Sequence, residues 1–433
     1  MSADVDENFA GQVAHRHRAQ RKSAAPPRRD GASGCPGELD VVNYLKRMEE
    51  RPVNYDQPSD SDRPVNDVIS LLQDLVRIPS DEREAEVLAC LAERFDRRGI
   101  SYSVREVAGA ERSNIVATWG EGEPSLILNS HMDTVGIGDR AGWHYDPYGA
   151  QIDNGCMYGR GTADAKGPLA AMVVAFESIT AELDPHRGRL VLMAVAKEES
   201  GGTGTELAVG DGLRAGAAIV GEPTGLEVLT AHKGAFRADI TVHGVAAHSS
   251  EPWEGRNAVF DAPEVIVALR ELSRTVAGRS DPLVGRASLE ATVIRGGIAR
   301  NVIPPSCTLT LDRRILPGES MDDVREEILT ALEPVSREVE ISFEPVSRAE
   351  SAVTPAGEPI VTTALSAREA EPKGFPACCD MWYLTNRGKI PTVILGPGSL
   401  QQAHKSDEHI ALDDLRQAVH IYRRIILDWF GRK

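Results

Sequence analysis

Ser125–Val135 reads SLILNSHMDTV: the uncharged run Ser125–Asn129 leads directly into His131 and Asp133. An apolar run this short reads as a buried strand. The same arrangement recurs along the chain. Leu190–Ala196 (LVLMAVA) precedes Glu198 and Glu199, Ala217–Val220 (AAIV) precedes Glu222, and Val393–Leu395 precedes a Gly-Pro-Gly turn and His404. Continuous Val/Ile/Leu runs alternating with helical segments argue for parallel strands covered on both faces. In an open sheet of that kind ligands bind beyond the carboxyl ends of the strands, so polar residues at those ends share one rim. The fold class expected is α/β, a mostly parallel sheet with helices on both faces.

A further acidic residue, Asp164, lies in YGRGTADAKG (Tyr158–Gly167), a glycine-punctuated loop followed by the small and apolar Pro168–Phe176, which reads as a buried helix. Two imidazoles and three carboxylates, His131, Asp164, Glu199, Glu222 and His404, suit Zn²⁺, with Co²⁺ as the other candidate. One shared carboxylate can hold two such ions about 3.5–4 Å apart. Two divalent metal ions are the expected cofactor. The glycines and Lys166 of the loop lack the GxxxxGK[ST] spacing, which sets nucleotide binding aside.

At 433 residues the chain exceeds one ordinary core, and two or three domains are expected. Its net charge of −17 argues against binding to nucleic acid, and no apolar stretch approaches the length of a membrane span. Six cysteines without a CxxC pair, and no N-terminal apolar signal segment, point to a reducing, cytoplasmic compartment. Cys378 and Cys379 lack ligand-spaced partners and read as packing residues.

Residues 1–64 differ from the rest: acidic at the tip, then HRHRAQRKSAAPPRR, then rich in Gly, Pro, Ser and Asp. They read as a flexible extension, with a short helix at Val41–Glu50. After His232 a new order begins. ADITVHG is a strand, Ala258–Arg274 a helix, Ala287–Ile294 and Cys307–Arg313 strands, Met321–Leu332 a helix and Val339–Phe343 a strand. That βαββαβ order is ferredoxin-like. Residues 235–349 therefore form an inserted domain, and 65–234 with 350–433 a discontinuous catalytic domain. Gly296 and Gly297 suit a tight strand-to-strand turn.

The motifs HMDTV, YGRGTADAKG, EESGGTG, GEPT, AAHSSEPWEGRNA, NVIP and GPGSLQQAHKSDE, in this order from His131 to Glu408, resemble the dinuclear zinc amidohydrolase and exopeptidase family. That family includes acetylornithine deacetylase, succinyl-diaminopimelate desuccinylase, aminoacylase and glutamate carboxypeptidase. The likeness runs from about Pro64 to the C-terminus. It implies that Asp164 bridges two metals, that His131 and Glu222 complete one site, and that Glu199 and His404 complete the other. The nucleophile is then a water held by the metals.

Glu198, beside Glu199 on the same turn, is assigned as general base, taking the water proton and returning it to the leaving amine. Asp133 is placed to fix the tautomer of the His131 ring. The resemblance further implies that His248 is a lid histidine donating to the oxyanion, across a dimer interface in dimeric members. It implies too that Asn301 and Arg314 hold the substrate carboxylate, an Arg fork binding bidentately. Arg313 and Arg314 face opposite ways on a strand, so only one should point to the site. One departure stands out: Lys197 occupies a position that is often acidic in the family, and a cation there would lower the pKa of Glu198.

The activity expected is hydrolysis of the amide of a small N-acyl amino acid by a homodimer that pairs through the lid. The alternatives are a dipeptidase or carboxypeptidase on the same site, and a catalytically silent binding protein.

Overall fold

The computed structural model describes residues 63–81, 84–108, 112–180 and 182–431. Residues 1–62 of the expected extension, with the helix read at Val41–Glu50, lie outside them. The strand Ser125–His131 is buried along its whole length. It pairs in parallel with Arg189–Val195 on one side and Ala217–Val220 on the other, and Thr392–Ile394 adds in parallel beyond Ala217–Val220.

Side chains alternate across a strand, and here both faces are apolar. Leu126, Leu128, Leu190, Leu192 and Ile219 pack with the helices Arg63–Val76, Lys166–Thr180 and Leu412–Phe430. Ile127, Val191, Met193 and Val220 pack on the opposite face with Val209, Met381, Trp382 and Leu384. Uninterrupted apolar runs are therefore what these strands require.

The parallel part is the centre of a larger sheet, which has nine strands among the described residues. On one flank Ser113–Gly120 runs antiparallel to Arg189–Val195, and Tyr102–Glu106 antiparallel to it in turn. On the other flank Leu229–His232 meets Thr392–Ile394 antiparallel and also carries Ala352–Val353 and Lys373–Phe375.

A second sheet orders Ser288–Gly296, Ser306–Ile315, Gly234–His243 and Ile341–Ala349 side by side, all antiparallel. With Ala258–Val276 and Met321–Ser336 between its strands, this is the βαββαβ order. Both helices cover one face, where Phe236, Ile240, Leu269, Leu311 and Ile328 share a core. The last strand starts at Ile341, two residues after the expected Val339, and continues to Ala349 across Pro345. It lies at the sheet edge with a bulge at Pro345/Ser347, where a missing N–H breaks little pairing. Gly296 lies in the strand, paired with Cys307, and the nine residues 297–305 connect it to Ser306–Ile315, a longer link than the tight turn expected there; Gly297 has φ +85°.

The two sheets join at Lys233, between the strands Leu229–His232 and Gly234–His243. Gly234 is required there, because a Cβ would lie 2.5 Å from the Ala349 carbonyl oxygen.

His232, just before the joint, is fully buried. Its Nδ1 donates to the Lys233 carbonyl at 2.8 Å, and its Nε2 has no partner. Burial pushes its pKa down to about 4 from an ordinary 6.5. Between those values the unfolded ring binds a proton that the folded ring rejects. The stability that depends on the neutral ring is complete above 6.5 and lost as pH falls towards 4. Denaturant titrations from pH 7 to pH 4.5 should show His232→Gln losing less stability than the parent chain. Parallel pH curves for the two proteins would contradict this.

Candidate metal centre

The four central strands run the same way, so their carboxyl ends open on one edge of the sheet. His131 ends its strand there, Glu198 and Glu199 follow Arg189–Val195, and Glu222 follows Ala217–Val220. His404 comes from the turn after Thr392–Ile394, and Asp164 from the loop that enters the helix Lys166–Thr180.

The structure brings these groups together. Nε2 of His131 lies 3.2 Å from Oδ1 of Asp164 and 4.0 Å from Oε1 of Glu222. Nε2 of His404 lies 3.3 Å from Oδ2 of Asp164 and 3.0 Å from Oε1 of Glu199. Asp164 thus turns one oxygen to each histidine. Ligand atoms of His131, Asp164 and Glu199 also lie within 4.8 Å of one another, so Glu199 stands close to both halves.

The chemistry of the donors fits a cation. Nδ1 of His131 donates to the Asp133 carbonyl at 2.9 Å, which leaves Nε2 of the neutral ring with a lone pair facing a carboxylate oxygen. Two lone pairs repel unless a proton or a cation lies between them. Tetrahedral ligands about 2.0–2.1 Å from a metal stand roughly 3.3 Å apart, close to the separations found here.

The electrostatics carry the same signature. Burial opposes protonation of His131, but Asp164 and Glu222 outweigh it and raise its pKa well above the usual value. Hydrogen bonds to Asp164 and Glu199 raise His404 to about 10. Asp164 is buried, yet the two histidines hold it below the usual carboxylate range. Burial and then Asp164 drive Glu222 upward.

Asp133 acts differently from expectation. Its main-chain carbonyl, not its carboxylate, takes the closer contact to the His131 ring; Oδ1 is 3.6 Å away. The carboxylate instead accepts the main-chain N–H groups of Glu198 and Glu199, at 3.1 and 3.0 Å, and so clamps the turn that carries both glutamates. Glu198 is partly buried, and burial pushes its carboxyl well above the ordinary range, with Glu222, Asp380 and Glu199 adding to the rise. The net direction is upward, against the lowering expected from Lys197, whose ammonium is not among the main influences.

Four supporting residues were missed in the sequence. Glu408 is completely buried, pairs with buried Arg160 at 2.6 Å, and accepts the N–H groups of Ala163 and Asp164. Lys166 is buried with its ammonium donating to the carbonyls of Leu75 and Ile78. Asp380 accepts from Thr205 at 2.6 Å and approaches the Glu198–Gly202 turn: a Cβ on Gly202 would meet its Oδ1 at 2.6 Å. Burial raises Asp380 to about 6. Both Arg160 and Glu408 lie inside motifs quoted above, but nothing in a sequence separates a buried charge from a solvated one.

The lid candidates stand apart from this cluster. His248 is exposed and hydrogen-bonded to Ser250, and a backbone bridge joins it to Val302. Asn301 is exposed, and its carbonyl accepts from Ser249. Arg314 binds Asp312 at 2.7 Å, while Arg313 is buried on the helical face with Glu319. Among the described residues none of these side chains hydrogen-bonds to the five candidate ligands.

The model of the peptidase family M20/M25/M40 matches residues 127–428. The chain belongs to that family. Acetylornithine deacetylase of Edwardsiella ictaluri (strain 93-146) is 30% identical over 364 residues, covering 80% of this chain and 93% of that protein. A tripeptidase from Staphylococcus aureus superposes with a TM-score of 0.69 at 22% identity, over 84% of this chain and 98% of its own. A dinuclear metal-binding M20 peptidase of Bacillus subtilis gives 0.63 at 15% identity, over 85% and 99%. As an M20-family hydrolase the chain has the catalytic-plus-lid architecture of its structural neighbours.

The Arg160–Glu408 pair is open to a direct test. Glu408→Gln strands a buried guanidinium, and removing one partner of such a pair costs about 3–5 kcal/mol. Chemical denaturation should show a loss of that order. A loss below about 1 kcal/mol would mean the pair is not what fixes the Asp164 loop.

Proposed function

We propose that the chain hydrolyses the amide bond of a small N-acyl amino acid, in the manner of acetylornithine deacetylase or succinyl-diaminopimelate desuccinylase, with two zinc ions or, alternatively, cobalt. The observation that carries this reading is Asp164, whose two oxygens face His131 and His404 at 3.2 and 3.3 Å. His131 and Glu222 would hold one ion and His404 and Glu199 the other, with Asp164 shared. When bound, the two cations lower the pKa of a water and polarise the scissile carbonyl.

The rest falls to the chain's own side chains. Glu198 accepts the water proton as the new C–O bond forms, and delivers it to the amine nitrogen as the C–N bond breaks. Asp133 keeps Glu198 in place through the main-chain clamp on its turn. Arg314 and Asn301 are assigned to the substrate carboxylate, and His248 to the oxyanion after the lid has come over the site.

The division into a catalytic domain, residues 65–234 and 350–433, and an inserted lid, 235–349, belongs to this proposal. So does a homodimer through the lid, supported by Val245, Trp253, Phe260, Ile294 and Ile298, which the lid leaves exposed. No described helix is long and apolar enough to cross a membrane. The five described cysteines are unpaired, as a reducing cytoplasm would keep them. A peptidase reading stays in view because the tripeptidase of Staphylococcus aureus shares the fold.

Zinc- or cobalt-loaded protein should turn over members of a panel of N-acetyl, N-succinyl and N-formyl amino acids in preference to dipeptides. Glu198→Gln should lower kcat by about 10²–10⁴ with metal content unchanged. Unaltered turnover in that variant would remove Glu198 from the chemistry, and turnover of dipeptides alone would favour the peptidase reading.

A further inference from the structure

The two histidines of the centre are held in different ways. His131 is buried, ends a strand and donates through Nδ1 to the Asp133 carbonyl. His404 is half exposed, and its Nδ1 has no hydrogen-bond partner among the described residues. A ligating histidine is ordinarily oriented through the ring nitrogen that faces away from the metal. For His404 that hold is missing, so the main chain has to place the ring.

The main chain there is itself in a costly conformation. His404 and Asp407 have φ of +64° and +55°, which residues other than glycine keep only where their surroundings over-determine it. From Gln401 to Asp407, the hydrogen bonds that reach beyond residues 399–409 come, among the described residues, from the His404 ring and the Asp407 carboxylate alone. The carboxylate turns to the segment that follows His131. Its Oδ1 accepts the main-chain N–H of His144 at 2.8 Å and that of Tyr145 at 3.2 Å. Its Oδ2 lies 2.6 Å from Nδ1 of the His144 ring.

That segment is anchored in turn. Asp139 accepts the Ala141 N–H, and Trp143 Nε1 donates to the Ile137 carbonyl at 2.9 Å. The Arg160 guanidinium carbon lies 5.3 Å from the centroid of the Trp143 ring, and a terminal nitrogen of Arg160 donates to the Gly136 carbonyl. Gly142 approaches the His404 turn so closely that a Cβ would lie 2.9 Å from Ser406 Oγ. Residues 136–145 therefore connect Arg160, which supports the Asp164 loop, to the turn that carries His404.

We propose that Asp407 is a positioning residue for His404. By gathering the N–H groups of His144 and Tyr145 it sets where the imidazole stands relative to Asp164 and Glu199, and so the affinity for the divalent ion on that side. The inference rests on the metal reading above and goes beyond it, since the Asp407 carboxylate is engaged by His144 and Tyr145 and is not a ligand. His144 contributes through its main chain, because its ring is mostly in solvent, where such a contact adds little.

The test is a zinc titration of the metal-free full chain, by calorimetry with a competing chelator, on the parent and its variants. Two ions should bind to the parent. Asp407→Ala should weaken one of them about 10–100-fold and leave the other within about twofold of the parent. Asp407→Asn keeps an oxygen for both N–H groups and a donor for the ring, and should retain the parental affinities. His144→Ala, which keeps the N–H, should retain them as well. On a His404→Ala background, Asp407→Ala should cause no further loss, because it acts through that ring. Asp407→Ser, too short to reach the same N–H groups, replaces the alanine variant if that one does not fold.

Weakening of both ions together, a further loss on the His404→Ala background, or a loss in Asp407→Asn or His144→Ala as large as in Asp407→Ala would overturn the positioning role. Two ions in the parent with unchanged affinities in Asp407→Ala overturn this inference alone. A parent chain that binds fewer than two ions removes the shared metal centre and the inference with it.

Discussion

A single carboxylate facing two imidazoles constrains everything around it. Asp164 offers one oxygen to His131 and the other to His404, and those residues approach from chain segments far apart in sequence. Such an arrangement holds only if the loop bearing Asp164 is fixed independently of them. The buried Arg160–Glu408 pair does this, with Glu408 also gathering the N–H groups of Ala163 and Asp164. The parallel centre of the sheet supplies the other requirement, because strands running one way place His131, Glu199 and Glu222 on one edge.

Charge explains the division of labour between the two sheets. At the edge of the large sheet, acidic groups crowd together and push one another and Glu198 towards protonation, a strain that bound cations would relieve. On the four-stranded sheet the signs are mixed: Asp312 binds both Arg237 and Arg314, and Glu290 stands across from it on the neighbouring strand. The chain crosses between the sheets twice, at Lys233 and again at Glu350 and Ser351, between Ile341–Ala349 and Ala352–Val353.

Much of this was legible in the sequence, for identifiable reasons. Strands buried on both faces need unbroken apolar runs, so Ser125–His131, Arg189–Val195 and Ala217–Val220 announced themselves, and polar residues at their ends marked the rim. The helix read at Ala258–Arg274 runs to Val276, two residues further. The edge strand Ile341–Ala349 was read short because Pro345 interrupts it, although an edge tolerates that residue. The supporting shell stayed hidden for a different reason. Glu408, Arg160 and Asp380 follow no apolar run, and their burial is set by contacts between distant segments. Asp133 was placed beside the correct histidine, but the carboxylate's use as a clamp on the Glu198–Glu199 turn depends on a register that no local pattern encodes.

The most direct measurement is the number of divalent ions bound per chain in active, dialysed protein, determined by elemental analysis together with activity. Two ions per chain, with activity that disappears on chelation and returns when metal is restored, is the predicted result. Full activity in protein that carries no metal would contradict the shared-aspartate centre outright.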